Sequence, residues 1–320
     1  MGHSEAGGEN YFNQNKLANV SIKSAQIELS AKQHEIVQEV KSVYYQLSYY
    51  YAKLKLLQQE DIIYSDFQRV AKLRFEKGET NILEKLAAET MVNEIRNLID
   101  QINADIEIYK SKLQNIINET QPIVIADTVL SKLKFPLNND TTIVTQSIPV
   151  KLAMQQIDIS HLQKKVEQSK FFPDFSLAYF NQTNKDLSER DRFTGVQVGI
   201  SFPLLFFSQK GKVQSFKINE TIAQLNYEQV KKNVKSKYLE SYQLLYKNLN
   251  SLNYYENFSL KQADLIIIQA ELGRKSGDIG YIEYVQLMKQ AIDIKNAYLE
   301  TMNNYNQSVI AIEGILEKYK

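Results

Sequence analysis

Few side chains in this sequence could carry out a reaction. Its three histidines, His3, His34 and His161, are isolated from one another, and none begins a His-Glu-x-x-His pattern. His34 lies two positions before Ile36 in a periodic apolar stretch, which puts it on a surface or flank. There is no cysteine, which excludes thiolate metal sites, cysteine nucleophiles, disulfides and a lipidated cysteine. No glycine-rich phosphate loop and no Gly-x-Ser-x-Gly elbow occurs. A nucleophile needs a base beside it and a metal needs a cluster of ligands, so we expect no enzyme activity, no metal site and no cofactor. Lysine and arginine total 38 against 37 acidic residues, with no basic block. That balance gives no footprint for nucleic acid.

Two glutamates stand out by position rather than by type. Glu84 and Glu283 each lie six residues after a glycine, Gly78 and Gly277, that breaks a long apolar-periodic stretch. An acid near a helix N-terminus is favoured by the macrodipole. If such turns converged on a symmetry axis, the same carboxylates would form a ring that attracts cations. A second oddity is the run Tyr44-Tyr45-Gln46-Leu47-Ser48-Tyr49-Tyr50-Tyr51. It could line a groove between helices, but large aromatics commonly fill helical seams, burying the ring while the hydroxyl stays wet.

The elements that hold these residues are long helices. Only 11 glycines and 5 prolines occur in 320 residues, and scarce breakers favour uninterrupted helix. From about Lys16 to Phe75 a heptad seam runs Ile22, Leu29, Ile36, Val43, Tyr50, Leu57, Tyr64. A second seam runs Val40, Leu47, Leu54, in the a/d pattern of a coiled coil. At about 1.5 Å per residue this helix would reach roughly 90 Å. After Gly78, helix returns from about Ile82 to Asn118, with seams Val92, Ile99, Ile106, Leu113 and Ile95, Ile102, Tyr109, Ile116. The pair reads as an αα-hairpin. Pro122, Pro136 and Pro149, with the turn signal at Asn138-Asn139-Asp140, mark a connecting segment. A helix follows from about Val150 to Gln168. A further long helix runs from Gly211 to about Leu272, interrupted by Gly273 and Gly277. A last helix runs from Tyr281 to Lys318, with seams Val285, Ile292, Leu299 and Met302, Val309, Leu316.

Between the helical pairs lies one β region. Phe175, Leu177 and Tyr179 share a face. After a charged loop at 184–191, a second strand is expected from Thr194 to Phe202. It places Val196, Val198, Ile200 and Phe202 on one face and Gly195, Gln197, Gly199 and Ser201 on the other. Such alternation fits an ordinary sheet packed on helices, the commoner case. It also fits a strand of a transmembrane β-barrel. No apolar run is long enough for a transmembrane helix, and Met1 to Asn10 carries no apolar signal core.

The two hairpins repeat each other. Gly78-Glu79-Thr80-Asn81-Ile82-Leu83-Glu84 aligns with Gly277-Asp278-Ile279-Gly280-Tyr281-Ile282-Glu283 at a shift of 199 residues. In both copies a long helix precedes the turn and a shorter one follows, and such self-similarity decides architecture.

With these features in order, the chain resembles the TolC-like outer-membrane efflux factors. Three further features carry the resemblance beside the repeat. The first is the pair of turn approaches, Ala71-Lys72-Leu73-Arg74-Phe75-Glu76-Lys77-Gly78 and Ala270-Glu271-Leu272-Gly273-Arg274-Lys275-Ser276-Gly277. The second is the strand-to-helix passage Gly199-Ile200-Ser201-Phe202-Pro203-Leu204-Leu205-Phe206. The third is the β-hairpin placed between long helices. The implied fold is mainly α, with two long antiparallel coiled-coil hairpins and one inserted β-hairpin.

The resemblance implies a division of the chain. Residues 1–15 would be disordered or the end of a strand, and 16–120 the first long hairpin with its tip near 76–81. Residues 121–149 would be an equatorial connecting segment, and 150–208 a short helix plus the β-hairpin of the membrane barrel. Residues 209–320 would be the second long hairpin, with its tip near 273–280.

It also implies a function. Three protomers would form a passive export channel in the outer membrane, extending through the periplasm. The tips (Leu73, Arg74, Gly78, Leu272, Gly273, Arg274 and Gly277) would dock a periplasmic adaptor, or membrane fusion protein, that joins an inner-membrane efflux pump. Glu84 and Glu283 would stand at the pore entrance, and Val196, Val198, Ile200 and Phe202 would face outer-membrane lipid. Where the family has a gating tyrosine, three residues before the second turn glycine, this chain has Arg274. A helix and β-hairpin that precede the first long helix in the family are also absent. Glu9-Asn10-Tyr11-Phe12-Asn13-Gln14 looks like the end of that hairpin, so the chain is expected to be N-terminally incomplete or part of a longer polypeptide. The competing expectation is a coiled-coil scaffold or spacer, with the β-hairpin packed on its own helices.

Overall fold

The computed structural model describes residues 8–123, 125, 129–136, 145–183, 192–202 and 206–316. The charged loop at 184–191, the turn at 138–140 and residues 203–205 of the strand-to-helix passage lie outside the described residues. In chain order the elements are α1 (Gly8–Glu76), α2 (Ile82–Ile117), α3 (Ile148–Ser169), β1 (Asp174–Thr183), β2 (Arg192–Ser201), α4 (Phe206–Tyr254), α5 (Leu260–Ser276) and α6 (Tyr281–Leu316). A single π-helical turn, Tyr255–Ser259, joins α4 to α5. The fold is mainly α with one two-stranded antiparallel sheet.

Two expectations are corrected. Helix begins at Gly8, so residues 8–15 are neither disordered nor a strand end. Nothing in Glu9-Asn10-Tyr11-Phe12-Asn13-Gln14 breaks a helix, and it continues directly into the periodic stretch. Gly273 does not interrupt its helix, since α5 runs on to Ser276. A glycine tolerated inside a helix often marks close packing, and here a side chain at 273 would sit 3.3 Å from Ile279.

Contacts group the chain into two units, residues 1–33 with 140–237 and residues 34–139 with 238–320. Both long helices contribute to both units, so the grouping cuts across a hairpin-by-hairpin division.

The second unit holds a continuous core. On α1, Val43, Leu47, Leu57 and Tyr64 are buried, and on α2 Val92, Ile95, Ile102, Ile106 and Leu113. These are the heptad residues, because only a 3.5-residue repeat keeps one stripe facing a partner helix. The tyrosine run fills the same seam. Tyr44, Tyr50 and Tyr51 pack on the core, and Tyr50 meets Tyr109 edge-on at 5.3 Å.

The α4–α5 seam runs Tyr238, Leu245, Leu252, Ser259, Ala263, Ala270, all buried. Its step is seven except between Ser259 and Ala263, where it is four. The π turn ends at that point. A four-residue stutter locally unwinds a heptad helix, and the wider turn is how this one accommodates it.

In the first unit, α3 is tied to α4 by polar contacts. Glu220 accepts from Lys164 at 2.5 Å and contacts His161 Nδ1 at 2.7 Å. Gln209 donates to the Glu167 carbonyl at 2.7 Å. In the sheet, Phe175 pairs with Ile200, Leu177 with Val198, and Tyr179 with Val196.

Candidate functional site

The two turns have the same backbone. At the first, Gly78 takes φ +74, and the Glu79 amide donates to the Arg74 carbonyl at 2.8 Å. At the second, Gly277 takes φ +83, and the Asp278 amide donates to the Gly273 carbonyl at 2.9 Å. Both are glycine-terminated helix ends with a bond reaching back across the last turn. A left-handed backbone conformation strains any residue with a Cβ, so the repeat fixes glycine at these two positions.

The side chains on these equal backbones differ. At the first tip Asn81 caps α2, accepting from the Glu84 amide at 3.1 Å. The Glu84 carboxylate accepts from Arg74 at 2.7 Å and from Thr80. Only 7 % of the Glu84 side chain is exposed. Shifting by 199 residues puts Gly273 at the place of Arg74, Ile279 at that of Thr80 and Gly280 at that of Asn81. Every partner of Glu84 is thus lost in the second repeat. There Ile279 packs on Gly273 instead, and Glu283, on the first turn of α6, is exposed. One acid has become part of a tip and the other faces solvent.

The second tip is tied elsewhere. Tyr281 donates to Asp66 of α1 at 2.6 Å. Arg274 lies 3.5 Å from the same Asp66 oxygen, and its guanidinium sits 4.8 Å from the centroids of both Tyr281 and Tyr284. Arg69 holds the other carboxylate oxygen at 2.6 Å. The Tyr281 hydrogen bond, then that from Arg69, holds the Asp66 carboxyl below its ordinary value. Burial and the Asp66 contact push the Tyr281 phenol up. The hydroxyl therefore stays a donor and the carboxylate stays ionised across the neutral range. Phe67 stacks on Tyr281 with centroids 5.6 Å apart. So Arg274, at the position where a tyrosine was to be expected, engages two tyrosines and an aspartate of its own chain.

Asp66 and Tyr281 were not among the residues singled out by sequence. A signal was present in each. Asp66 is a charge wedged between the seam residues Tyr64 and Phe67, and Tyr281 opens a helix four residues after the turn glycine. Of the tip residues named from sequence, Leu73, Gly78, Leu272, Arg274 and Gly277 are exposed, and Arg74 and Gly273 are half-buried.

On the β-hairpin, Phe175, Leu177, Tyr179, Val196, Val198 and Ile200 form one continuous face, each between 56 % and 71 % exposed. Phe202, just past β2, is exposed as well. The other face carries Ser176, Ala178, Gln197 and Gly199, with the Phe180 ring lying over Gly195. Among the described residues, no helix covers the apolar face.

Nor does any group of three His, Asp or Glu side chains among the described residues stand where it could hold a metal ion. No helix among them is long and apolar enough to cross a membrane.

No protein-family model matches the sequence, and no curated protein sequence does. Solved structures match closely in fold. The outer membrane channel CmeC of Campylobacter jejuni is 14% identical with a TM-score of 0.81, covering 96% of this chain and 67% of its own. The outer membrane protein VceC of Vibrio cholerae is 14% identical with a TM-score of 0.78, covering 96% and 75%. The outer membrane channel MtrE of Neisseria gonorrhoeae, in its open state, is 12% identical with a TM-score of 0.81, covering 95% and 71%.

Proposed function

We propose that this chain, which has the fold of the TolC-like outer-membrane channels, is a wall subunit of a passive export conduit. It would sit in the outer membrane with its helices in the periplasm. The observation that carries this reading is the bare apolar face of the β-hairpin. Six large side chains on one face of a two-stranded sheet, with mostly small or polar residues and the Phe180 ring behind, are unfavourable in water and favourable in lipid. Soluble proteins rarely leave such a patch open. The scaffold reading needs that face packed on the chain's own helices, and among the described residues none covers it.

In this reading the subunit acts as a homotrimer, and Val196, Val198, Ile200 and Phe202 face outer-membrane lipid. The tips, with Leu73 and Leu272 exposed beside Arg74, Gly78, Gly273, Arg274 and Gly277, meet a periplasmic adaptor coupled to an inner-membrane pump. Glu283 contributes charge at the entrance. The chain itself performs no chemistry, and the energy for export comes from the pump.

The test uses the absence of tryptophan from the sequence. A single Val198→Trp gives a clean fluorescence probe on the apolar face, and Gln197→Trp one on the opposite face. In vesicles with brominated acyl chains, indole emission from the Val198→Trp variant should be quenched several times more strongly than that from the Gln197→Trp variant. Equal quenching, or none in either variant, would sink the membrane reading.

A further inference from the structure

The two tips are held in different ways. Arg74, Thr80, Asn81 and Glu84 all belong to the first turn region and bind one another. The corresponding second-tip residues, Gly273, Ile279, Gly280 and Glu283, make no such set. Beside the Ser276–Asp278 bond within its turn, the second tip has a bond to a different helix, from Tyr281 and Arg274 to Asp66. Asp66 lies 12 residues before Gly78, well back along α1. Tyr281 is two residues before Glu283 on the same first turn of α6.

We infer that Asp66 is a positioning residue for the second tip, a clasp on α1 that fixes the first turn of α6 and with it the direction of the Glu283 carboxylate. Three facts support this. The aspartate bridges two elements, α5 through Arg274 and α6 through Tyr281, so one side chain restrains both arms of the turn. The guanidinium of Arg274 lies 4.8 Å from the centroids of two α6 rings that also touch each other, so the arms are also bound to each other through the residue that Asp66 holds. A charge-assisted bond of this kind is also stronger than a neutral one. Finally, the residue before α6 is Gly280, which has no side chain to cap it as Asn81 caps α2, so without the clasp the turn keeps its backbone bonds, the Ser276–Asp278 hydrogen bond at 2.6 Å and the Gly273–Ile279 contact.

The part concerning Glu283 rests on the conduit reading; the clasp itself does not. Hydrogen–deuterium exchange on the full chain tests it directly. In Asp66→Asn, the amides of Asp278 and Ile279 should exchange about tenfold faster, the effect of losing one charge-assisted bond. Those of Lys77 to Glu79 at the first tip should be unchanged. Tyr281→Phe keeps the ring packing and removes only the hydroxyl, and should give a smaller change at the same amides. Glu84→Gln should show the reverse pattern, with the first tip loosened and the second unmoved. The clasp is overturned if the second-tip amides do not respond to Asp66→Asn and Tyr281→Phe, or if both tips respond together.

A second arm measures cation preference in a reconstituted channel. Asp66→Asn should weaken the preference in the direction of Glu283→Ala, although it leaves Glu283 in place. If Glu283→Ala changes the preference and Asp66→Asn does not, the positioning role fails. If Glu283→Ala has no effect, the entrance reading fails and the clasp stands on the exchange data alone.

Discussion

Two glutamates at equivalent repeat positions have different environments because their neighbours changed. Glu84 keeps an arginine and a threonine within bonding distance, while Glu283 has lost both to Gly273 and Ile279. A buried carboxylate that loses its charge leaves its partners unsatisfied, whereas an exposed one loses almost nothing. Glu84→Gln should therefore destabilise the protein by about 1 kcal/mol, and Glu283→Gln should leave the melting temperature unchanged. Parallel thermal melts check this, and equal shifts for the two would contradict the asymmetry. The equivalence of the two acids was legible in the sequence, through the 199-residue shift. Their divergence was not, because it depends on which side chains reach across each turn, and residue type alone does not say that Arg74 folds back onto Glu84.

At the scale of elements, the heptads were legible because period 3.5 is a property of residue order. The stutter near the π turn is written in the same order, as the four-residue step from Ser259 to Ala263, but both seam residues are small. Small residues give little apolar signal, so the seam fades where it shifts. The start of α1 was missed for a related reason, since Glu9 to Asn15 has few apolar residues to set a period.

Helix α1 also carries a buried acid in its seam. Glu60 is 5 % exposed. It accepts from Tyr64 on its own helix and lies near Lys289 and Asp293 of α6. Burial pushes its carboxyl above the ordinary value, partly offset by Tyr64 and Lys289. An acid that binds its proton more tightly folded than unfolded stabilises the fold when protonated. That contribution is present below its unfolded value and is lost as pH rises through the raised folded value. Glu60→Gln keeps an acceptor for Tyr64 and removes the buried charge. It should raise stability at pH 7 by about 1 kcal/mol, with a smaller gain at pH 4. Denaturant midpoints at the two pH values decide it, and a variant less stable at pH 7 would show that attraction to Lys289 outweighs burial.

At the scale of the whole molecule, the two units differ in what holds them. The unit of residues 34–139 and 238–320 has the continuous core described above. In the unit of residues 1–33 and 140–237, the buried apolar side chains among the described residues are Ile148, Val150 and Ala223. Three such side chains bury too little surface to offset the chain entropy of that unit's helical and strand segments. The same unit leaves its heptad residues open. Ile22 and Leu29 on α1 and Ile218, Ile222 and Leu225 on α4 are all exposed. A seam that keeps its seven-residue step yet stays exposed among the described residues is shaped for another helix, and in a closed homo-oligomer that helix belongs to a second copy. The sequence shows the whole α1 seam as one pattern, with no mark where partnering within the chain ends, because an intramolecular and an intermolecular partner ask for the same residues. The double variant Leu29→Asp with Leu225→Asp places a charge in each open stripe. In sedimentation runs in mild detergent, the unaltered chain should travel as a trimer and the variant as a monomer. Its far-ultraviolet dichroism should change little, since each charge sits on a face that is already solvent-exposed in the single chain. A variant that remains trimeric would mean that subunits meet elsewhere, and an unaltered chain that is monomeric throughout would remove the reason for the open seams.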